Sequence, residues 1–378
     1  MGISVGMVGV GGFAQCFIPL FKAHPDVDRI ALCDLNEEKL GENCAKYDIA
    51  ERYESLEAIC DSDLDAVAII TQNWLHAPQA IQALRAGKDV YSAVPTGINV
   101  EEIAELVDAV KESGRVYMLG ETSYYYPAVI YCRQRFREGA FGRIVYAEAQ
   151  YYHDFDHGLY EVMQARGGDQ WKQFAGGPPM HYPTHSVSAV TSVTGAHMTH
   201  VSCQGFVDNH EDGLFQKEAN IWQNEFSNES AMFAMSDGSS CRINEFRRIG
   251  HPGTVSTSIF GTESSFETSS AGSRWLTKAG GDSVDDQIKC TGEAGMAPVH
   301  DTDRLPPELL TVHSGHEGSH AFMVDDFIRA CITRETPPNN VWDAARYALP
   351  GIVAHESALR GGELLEIPDH GPPDSGNR

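Results

Sequence analysis

Two short stretches bring together side chains that can accept and return protons near neutral pH. The first is Tyr152-His153-Asp154, and the second is His181-Tyr182-Pro183-Thr184-His185. Histidine suits this work because its unperturbed pKa lies near 6.5. His181 and His185 are four residues apart and would share a face if this stretch were helical. The residue types therefore indicate general acid–base chemistry.

Metal binding is the competing interpretation of the same histidines. Ligand-type side chains recur in HDFDHG (153–158), HYPTH (181–185) and HSGHEGSH (313–320), and two imidazoles spaced i, i+4 on a helix can bind one ion. Pro183, however, makes a regular helix between His181 and His185 doubtful, because proline breaks the helical hydrogen bonding. We therefore expect no metal.

A glycine-rich motif near the N terminus predicts a dinucleotide site. Residues 9–14 read G-V-G-G-F-A, a G-x-G-x-x-A pattern between an apolar run and a helical pattern. The first glycine permits a tight turn, the next lets the backbone approach the pyrophosphate, and the alanine lets helix and strand pack closely. An acidic residue at the end of the second apolar run can accept hydrogen bonds from the ribose hydroxyls and repels a 2′-phosphate, which predicts NAD rather than NADP. The residues expected at the cofactor are Gly9, Gly11, Gly12, Phe13, Ala14 and Asp34.

The elements that must position these residues fall into two kinds. Up to about residue 120, strand and helix patterns alternate, which predicts a parallel sheet with right-handed crossovers. Beyond about residue 143, strand patterns joined by Gly- and Ser-containing turns predict an antiparallel sheet with one open face. The fold class is therefore α/β: a Rossmann doubly wound parallel sheet, then an α/β domain with a large, open, mainly antiparallel sheet. We expect domains at 1–122 and 123–368, a long loop over 268–315, and a flexible tail at 369–378.

Composition limits the partners. The chain has 378 residues and a formal net charge of −25, which repels phosphate backbones and so argues against nucleic acid. No apolar run reaches the length of a membrane span, and the first residues form a strand pattern rather than an export signal. The nine cysteines include no C-x-x-C pair, as is typical of a reducing compartment. We expect a cytoplasmic protein.

Residues 71–95, TQNWLHAPQAIQALRAGKDVYSAVP, resemble the Gfo/Idh/MocA family of NAD(P)-dependent sugar oxidoreductases. The family's T-x-N-x-x-H run is matched, and residues 319–349 resemble the family's closing helices, so the resemblance covers nearly the whole chain. It implies an N-terminal Rossmann domain and a C-terminal domain whose open sheet carries the sugar site. The further cofactor-site residues that it implies are Thr71, Asn73, His76, Val94 and Pro95.

Two departures from the family pattern point to one of its branches. Ala93-Val94-Pro95 stands where the dehydrogenases usually carry Glu-Lys-Pro, and His181 begins what is usually an Asp-x-x-x-His motif. Valine cannot take a proton as that lysine does. Together with Tyr182-Pro183-Thr184-His185 and the aromatic-His-Asp stretch, these features resemble NAD-dependent glycosidases of the α-N-acetylgalactosaminidase type. Ala93 and Ser186-Val187 depart from that branch as well.

This resemblance implies glycoside hydrolysis without net redox change. A tightly bound NAD⁺ takes hydride from C3, a base removes the C2 proton, the C1 substituent leaves, water adds, and the hydride returns. We expect His185 to be the principal acid and base. Predicted catalytic partners are His181, Tyr182, Tyr152 and Glu121, and predicted substrate contacts are His153, Asp154 and Tyr124.

Three hypotheses remain open from the residues. We prefer the NAD-dependent glycosidase to a sugar dehydrogenase or reductase that uses histidine and tyrosine in place of lysine. A non-catalytic dinucleotide-binding protein is the third hypothesis, because the concentration of His, Tyr and carboxylate side chains argues against a loss of catalytic activity. Exposed sheets commonly pair in this family, so we expect a homodimer or homotetramer acting on a carbohydrate.

Overall fold

The computed structural model describes residues 2–372, which form two compact units. Unit 1 contains Met1–Pro127, Gln287–Ala345 and His370–Arg378, and unit 2 contains Ala128–Asp286 and Arg346–Asp369. Residues 373–378, most of the predicted flexible tail, lie outside the described residues. Each unit is therefore built from segments that are far apart in sequence.

Unit 1 contains a six-stranded parallel sheet, as the alternating pattern predicts. Its core strands are apolar runs buried on both faces, as parallel strands between two helical layers must be. The strands are β1 (Ile3–Val8), β2 (Val27–Cys33), β3 (Glu51–Tyr53), β4 (Ala66–Ile69), β5 (Asp89–Ser92) and β6 (Tyr117–Leu119). The order β3-β2-β1-β4-β5-β6 is that of a Rossmann fold, which confirms the predicted class. Strand β3 is short and polar, so no apolar run in the sequence predicts it.

Unit 2 contains a nine-stranded sheet, and the prediction of a mainly antiparallel sheet is confirmed. Its strands are β7 (Ile144–Tyr152), β8 (Met198–Val207), β9 (Phe226–Met235), β10 (Ser240–Phe246), β11 (Thr254–Gly261), β12 (Ser264–Ser269), β13 (Gly272–Thr277), β14 (Gly280–Ser283) and β15 (Leu365–Glu366). Their order is β14-β13-β12-β11-β7-β10-β9-β8-β15. Among the described strands of this sheet, only β7 and β10 pair in parallel.

The prediction of a long loop over residues 268–315 is wrong in its first part. Strands β13 and β14 form a hairpin there that extends the sheet of unit 2. Trp275 on β13 anchors the hairpin, with ring centroids 4.8 Å from Phe141 and 6.0 Å from Tyr131. One half-buried aromatic side chain among glycines and polar residues is too weak a pattern to identify a strand from sequence.

Three of the described α-helices begin at side chains that cap them. The side chains of Asn36, Ser55 and Asn99 accept hydrogen bonds from backbone N–H groups of the first turns. None of the described helices is long and apolar enough to cross a membrane. They are α1 (Ile18–Ala23), α2 (Glu37–Tyr47), α3 (Leu56–Cys60), α4 (His76–Arg85), α5 (Val100–Ser113), α6 (Pro127–Arg137), α7 (Leu159–Gly167), α8 (Trp171–Ala175), α9 (Thr184–Thr194), α10 (Asp285–Ile288), α11 (Ser319–Thr333) and α12 (Val341–Leu359).

The sheet of unit 2 has one face covered by α9 and one open face. Helix α9 packs across β7, β10 and β11. Because successive side chains of a strand point to opposite faces, Ala147 and Ala149 of β7 lie under α9 and are 2% and 1% exposed. On the open face, Met232 of β9 is 47% and Phe206 of β8 is 61% exposed. This alternation decides which side chains of β7 and β10 can meet the residues of α9.

Candidate active site

The glycine-rich loop of unit 1 has the geometry that its motif predicts. Gly9 has a φ of +89°, and a Cβ on it would lie 2.3 Å from the carbonyl oxygen of Ile70. Only glycine fits that position, since both the left-handed backbone and the close approach exclude a side chain. At Gly11 and Gly12, a Cβ would meet no described atom within 4 Å. These two glycines therefore leave bare backbone accessible to a ligand.

Asp34 follows β2 and faces this loop. The backbone N–H of Val10 donates to its Oδ2 at 2.9 Å, and that of Asn36 donates to its Oδ1 at 2.8 Å. Each carboxylate oxygen can accept more than one hydrogen bond, so Asp34 can still accept from ribose hydroxyls. Beside the loop lies a cleft of about 320 Å³, lined by Val10, Gly11, Gly12, Gln15, Lys39, Glu42, Asn43 and Lys46. The residues present therefore fit a dinucleotide.

The segments after β4 and β5 are held together by His76. Its Nδ1 lies 2.9 Å from the carbonyl oxygen of Pro95, and its Nε2 lies 3.2 Å from that of Thr71. Val94, which stands where the dehydrogenases of the family usually have a lysine, is buried, with 5% of its surface exposed. The predicted cofactor residues of this region are thus adjacent to one another. Asn73 lies in the 3₁₀ helix that precedes α4.

Glu121 and Tyr124 lie in unit 1, just after β6. Glu121 is fully buried, and its Oε1 accepts from the backbone N–H of Ser123 at 2.7 Å. The side-chain amide of Asn339 donates to the backbone carbonyl of Glu121 at 3.1 Å. Tyr124 packs edge-on against Tyr125, with ring centroids 4.8 Å apart. Glu121 therefore follows the last strand of the parallel sheet.

Four side chains of unit 2 that can donate or accept a proton form one group on the α9-covered face. His185, in the first turn of α9, is 6% exposed and lies edge-on to Tyr151 and Tyr182, with centroid distances of 5.5 and 5.4 Å. The hydroxyl of Tyr151 lies 2.7 Å from Nδ1 of His153. We call Tyr151, His153, Tyr182 and His185 the tyrosine–histidine cluster. The structure thus brings together three residues that the sequence predicts, and adds Tyr151.

A buried ion pair lies beside this cluster. Ser186 donates to Oε1 of Glu245 at 2.5 Å, and Arg247 donates to its Oε2 at 3.1 Å. Burial raises the pKa of Glu245 to about 7, although Arg247 and Ser186 both act to lower it. The Arg247 guanidinium also lies 5.0 Å from the ring centroid of Tyr151. Burial, reinforced by the charge of Arg247, lowers the pKa of His153 to about 4.

The structure does not bring Tyr152 to His185. Tyr152 lies on the open face, where its ring stacks on Phe246 at 5.1 Å and meets His251 at 5.2 Å. Strand residues alternate between faces, so an error of one position in sequence places a side chain on the wrong side. Tyr151, which the sequence analysis did not select, occupies the position expected for Tyr152. Only the pairing of β7 with α9 could have identified it.

His181 and His185 do not share a helix. His181 ends a 3₁₀ helix, Pro179–His181, and α9 begins only after Pro183. The ring of His181 meets that of His355 at 5.1 Å, and Nδ1 of His355 lies 2.7 Å from Oε1 of the buried Glu229. Burial lowers the pKa of His181 to about 3. Nothing in the sequence pattern links Glu229 or His355 to this histidine.

Both carboxylate oxygens of Asp154 accept hydrogen bonds from backbone N–H groups. Its Oδ1 accepts from the N–H of Asp156 at 2.8 Å, and its Oδ2 accepts from the N–H of Ile249. Within residues 2–372, no group of three or more His, Cys, Asp or Glu side chains is arranged to hold a metal ion.

Comparison with known proteins identifies both parts of the chain. Residues 3–121 match the Gfo/Idh/MocA domain described as "Oxidoreductase family, NAD-binding Rossmann fold". Residues 133–362 match the domain described as "Oxidoreductase family, C-terminal alpha/beta domain". These matches cover most of the chain.

The chain spans about half the length of the curated relatives it matches. A glycosyl hydrolase family 109 protein of Saccharopolyspora erythraea is 28% identical over 204 residues, 50% of this chain and 44% of that protein. An alpha-N-acetylgalactosaminidase of Bacteroides fragilis is 26% identical over 211 residues, 52% of this chain and 49% of that protein.

A solved structure extends the similarity of fold to nearly the whole chain. Levoglucosan dehydrogenase in complex with NADH and L-sorbose superposes with a TM-score of 0.78 at 20% identity, over 98% of this chain and 100% of that one. At this identity the match concerns the fold alone. From the two domain matches, the protein belongs to the Gfo/Idh/MocA oxidoreductase family, with an NAD-binding Rossmann domain and a C-terminal α/β domain.

Proposed function

We propose that the protein is an NAD-dependent glycoside hydrolase that works without net redox change. The observation that carries this proposal is the tyrosine–histidine cluster, in a chain with Val94 where related dehydrogenases usually have lysine. The cluster offers proton donors and acceptors on neighbouring side chains. The names of the glycosyl hydrolase relatives support the same activity.

When bound, NAD⁺ would supply a reversible hydride acceptor that makes the neighbouring C–H of the sugar acidic enough for elimination. The residues that fit this cofactor in unit 1 are the glycine loop and Asp34. A hydrolase of this type regenerates its cofactor in each cycle, so tight retention of NAD is part of the proposal. The protein's own contribution is then proton transfer, which falls to unit 2.

Tyr151 is suited to exchange a proton because one neighbour orients its hydroxyl and the other stabilises a phenolate. With its pKa lowered to about 4, His153 is neutral at pH 7 and too weak a base to take the phenolic proton, but its Nδ1 can accept a hydrogen bond from the hydroxyl at 2.7 Å. The guanidinium of Arg247 above the ring stabilises the negative charge that would remain. We assign Tyr151 as an acid–base residue and His153 as the residue that orients its hydroxyl, a change from the predicted substrate-binding role of His153.

His185 is the second acid–base residue in this proposal. The carboxyl of Glu245 fixes the start of α9 through Ser186, and this fixes His185 one residue earlier. Tyr182 also packs edge-on against the imidazole, with its ring centroid 6.2 Å from that of Tyr151, and presents a second hydroxyl. Two acid–base groups allow one to remove a proton while the other protonates the leaving oxygen. Glu121, Tyr124 and His181 stay predicted contributors.

The test is a panel of α- and β-nitrophenyl glycosides given to the purified protein without added cofactor. Aglycone release and the absorbance of reduced nicotinamide are followed together, and NAD is measured after denaturation. We expect aglycone release without lasting NADH, and NAD in the denatured sample. NADH accumulation that requires added NAD⁺, without aglycone, would instead show a dehydrogenase in which tyrosine and histidine replace lysine. If the panel gives neither aglycone release nor NADH accumulation, both activities are contradicted.

A further inference from the structure

A strained turn precedes α11 in unit 1. Two consecutive non-glycine residues there, His316 and Glu317, have φ angles of 47° and 55°, and Gly318 follows at 84°. Left-handed backbone is unfavourable for residues with a side chain, and two in succession persist only where the surroundings hold them. We call residues 315–320 the His316 turn. Such strain concentrates at binding and catalytic sites, so the neighbours of this turn are informative.

The His316 turn borders the glycine-rich loop. The ring of His316 lies edge-on to Phe13, with centroids 5.6 Å apart. Phe13 directly follows Gly11 and Gly12, whose backbone is open to a ligand. His316 itself is exposed. A polar side chain from the far end of the unit 1 sequence is thus placed beside the predicted pyrophosphate site.

His320 supports His316 from beneath. It is 0% exposed, and within the described part of the chain neither of its ring nitrogens has a hydrogen-bond partner. Its ring lies 4.8 Å from that of His316 and 4.5 Å from that of Phe17. Burial lowers its pKa to about 3. Buried polar atoms without partners are rare and call for an explanation beyond packing.

The turn is also rigid. A Cβ at Gly315 would lie 2.8 Å from Cε1 of His320, and one at Gly318 would lie 2.8 Å from Cε1 of His300. The backbone carbonyl oxygen of Gly318 accepts from the hydroxyl of Ser314 at 2.7 Å. The position of His316 is therefore set by packing on both sides of the turn.

We propose that His316 is a cofactor-binding residue that interacts with the pyrophosphate of the dinucleotide and slows its release, with His320 as its positioning residue. An imidazole N–H can donate to a phosphate oxygen, as the backbone N–H groups of the glycine loop do. This inference rests on the retention of NAD that the proposed function requires. It also accounts for the strain of the turn, because a side chain that is already ordered loses little conformational entropy when it binds the cofactor.

The test measures NAD⁺ binding to the full-length protein after removal of bound nucleotide, by calorimetry and by the rate of NAD release. We expect His316→Ala to raise the Kd for NAD⁺ by about tenfold or more and to speed release, since a phosphate contact is lost. His316→Asn, which tolerates left-handed backbone, separates loss of the imidazole from relief of strain and should weaken binding similarly. His313→Ala is the matched control, and its Kd should equal that of the wild type.

Folding and positioning are separated by His320→Phe. It removes the unpartnered nitrogens and should therefore keep the melting temperature, whereas its larger ring should displace His316 and weaken NAD⁺ binding. A wild-type Kd in both His316 variants would overturn the inference. So would failure of the wild type to bind NAD⁺, which would also remove the cofactor from the proposed function. Weakened binding in the His316 variants of a protein that hydrolyses no glycoside would support the inference and overturn only the hydrolase.

Discussion

Glu245 should make the stability of the protein depend on pH, and Glu245→Gln should remove that dependence. Raising the pKa of this buried carboxyl from 4.5 to about 7 corresponds to about 3 kcal/mol of folding free energy, at roughly 1.4 kcal/mol per pH unit. The folded state holds the proton more tightly than the unfolded state does. This stabilisation is therefore fully present below pH 4.5 and is lost as the pH rises through 7.

Glutamine fits the site at every pH. Its carbonyl oxygen can accept from Arg247, and its amide can donate to the hydroxyl of Ser186, which then accepts instead of donating. The free energy of unfolding of Glu245→Gln, relative to that of the wild type, should be about 2–3 kcal/mol higher at pH 8 than at pH 5. The reason is that the glutamate of the folded wild type is neutral at pH 5 and charged at pH 8.

Urea unfolding of both proteins at the two pH values, followed by fluorescence, measures this difference. Glu161→Gln, at an exposed position of α7, is the control and should show no pH-dependent gain. A difference between wild type and Glu245→Gln that is constant from pH 5 to pH 8 would refute the reasoning. It would mean that Arg247 outweighs burial and keeps the carboxylate charged throughout.

Three further predictions address the cluster, the loop and the assembly. Tyr151→Phe should lower kcat by about 10²–10⁴-fold because the proton donor is lost, whereas Tyr152→Phe, which keeps its stacking on Phe246, should act as wild type; equal effects in steady-state assays would contradict the assignment. Gly9→Ala should destabilise the protein by roughly 2 kcal/mol or more, since its Cβ would meet the Ile70 carbonyl in left-handed backbone, while Gly11→Ala should leave the melting temperature unchanged and weaken NAD⁺ binding. If the expected homodimer or homotetramer pairs through the open face, Met232→Lys should reduce the mass found by light scattering, and a monomeric wild type would refute the assembly.

The sequence predicts the fold well because hydrophobic periodicity and glycine chemistry are local signals. The apolar runs of β1, β2 and β4 and the loop at Gly9 can be identified without knowing any tertiary contact. Strand β3 escapes prediction because a neighbouring strand, rather than its own apolar residues, holds it in the sheet. The β13–β14 hairpin escapes prediction because its anchor, Trp275, is a single aromatic side chain among glycines and polar residues. The same distinction applies to the site.

Residue types show that proton-transfer chemistry is present, but the face of a strand decides which side chains take part. Tyr151 and Tyr152 are indistinguishable by type, and only the packing of α9 on β7 places the first beside His185. Glu245 lies on β10, 59 residues after Ser186, and Arg247 directly follows that strand; neither belongs to a motif. The parallel pairing of β7 with β10 places Glu245 beside Tyr151, and the hydrogen bond from Ser186 links it to the start of α9, where His185 lies.

The central claim is that a proton is removed from the sugar carbon next to the oxidised one, so that the bond to the aglycone breaks by elimination. The most direct test is hydrolysis of a glycoside that the protein accepts, in deuterium oxide, with mass and NMR analysis of the released sugar. Elimination followed by addition of water predicts deuterium at C2, because the tyrosine and histidine that exchange the proton equilibrate with solvent. A product that is fully hydrolysed and carries no deuterium at C2 would show direct displacement at C1 and would contradict the account.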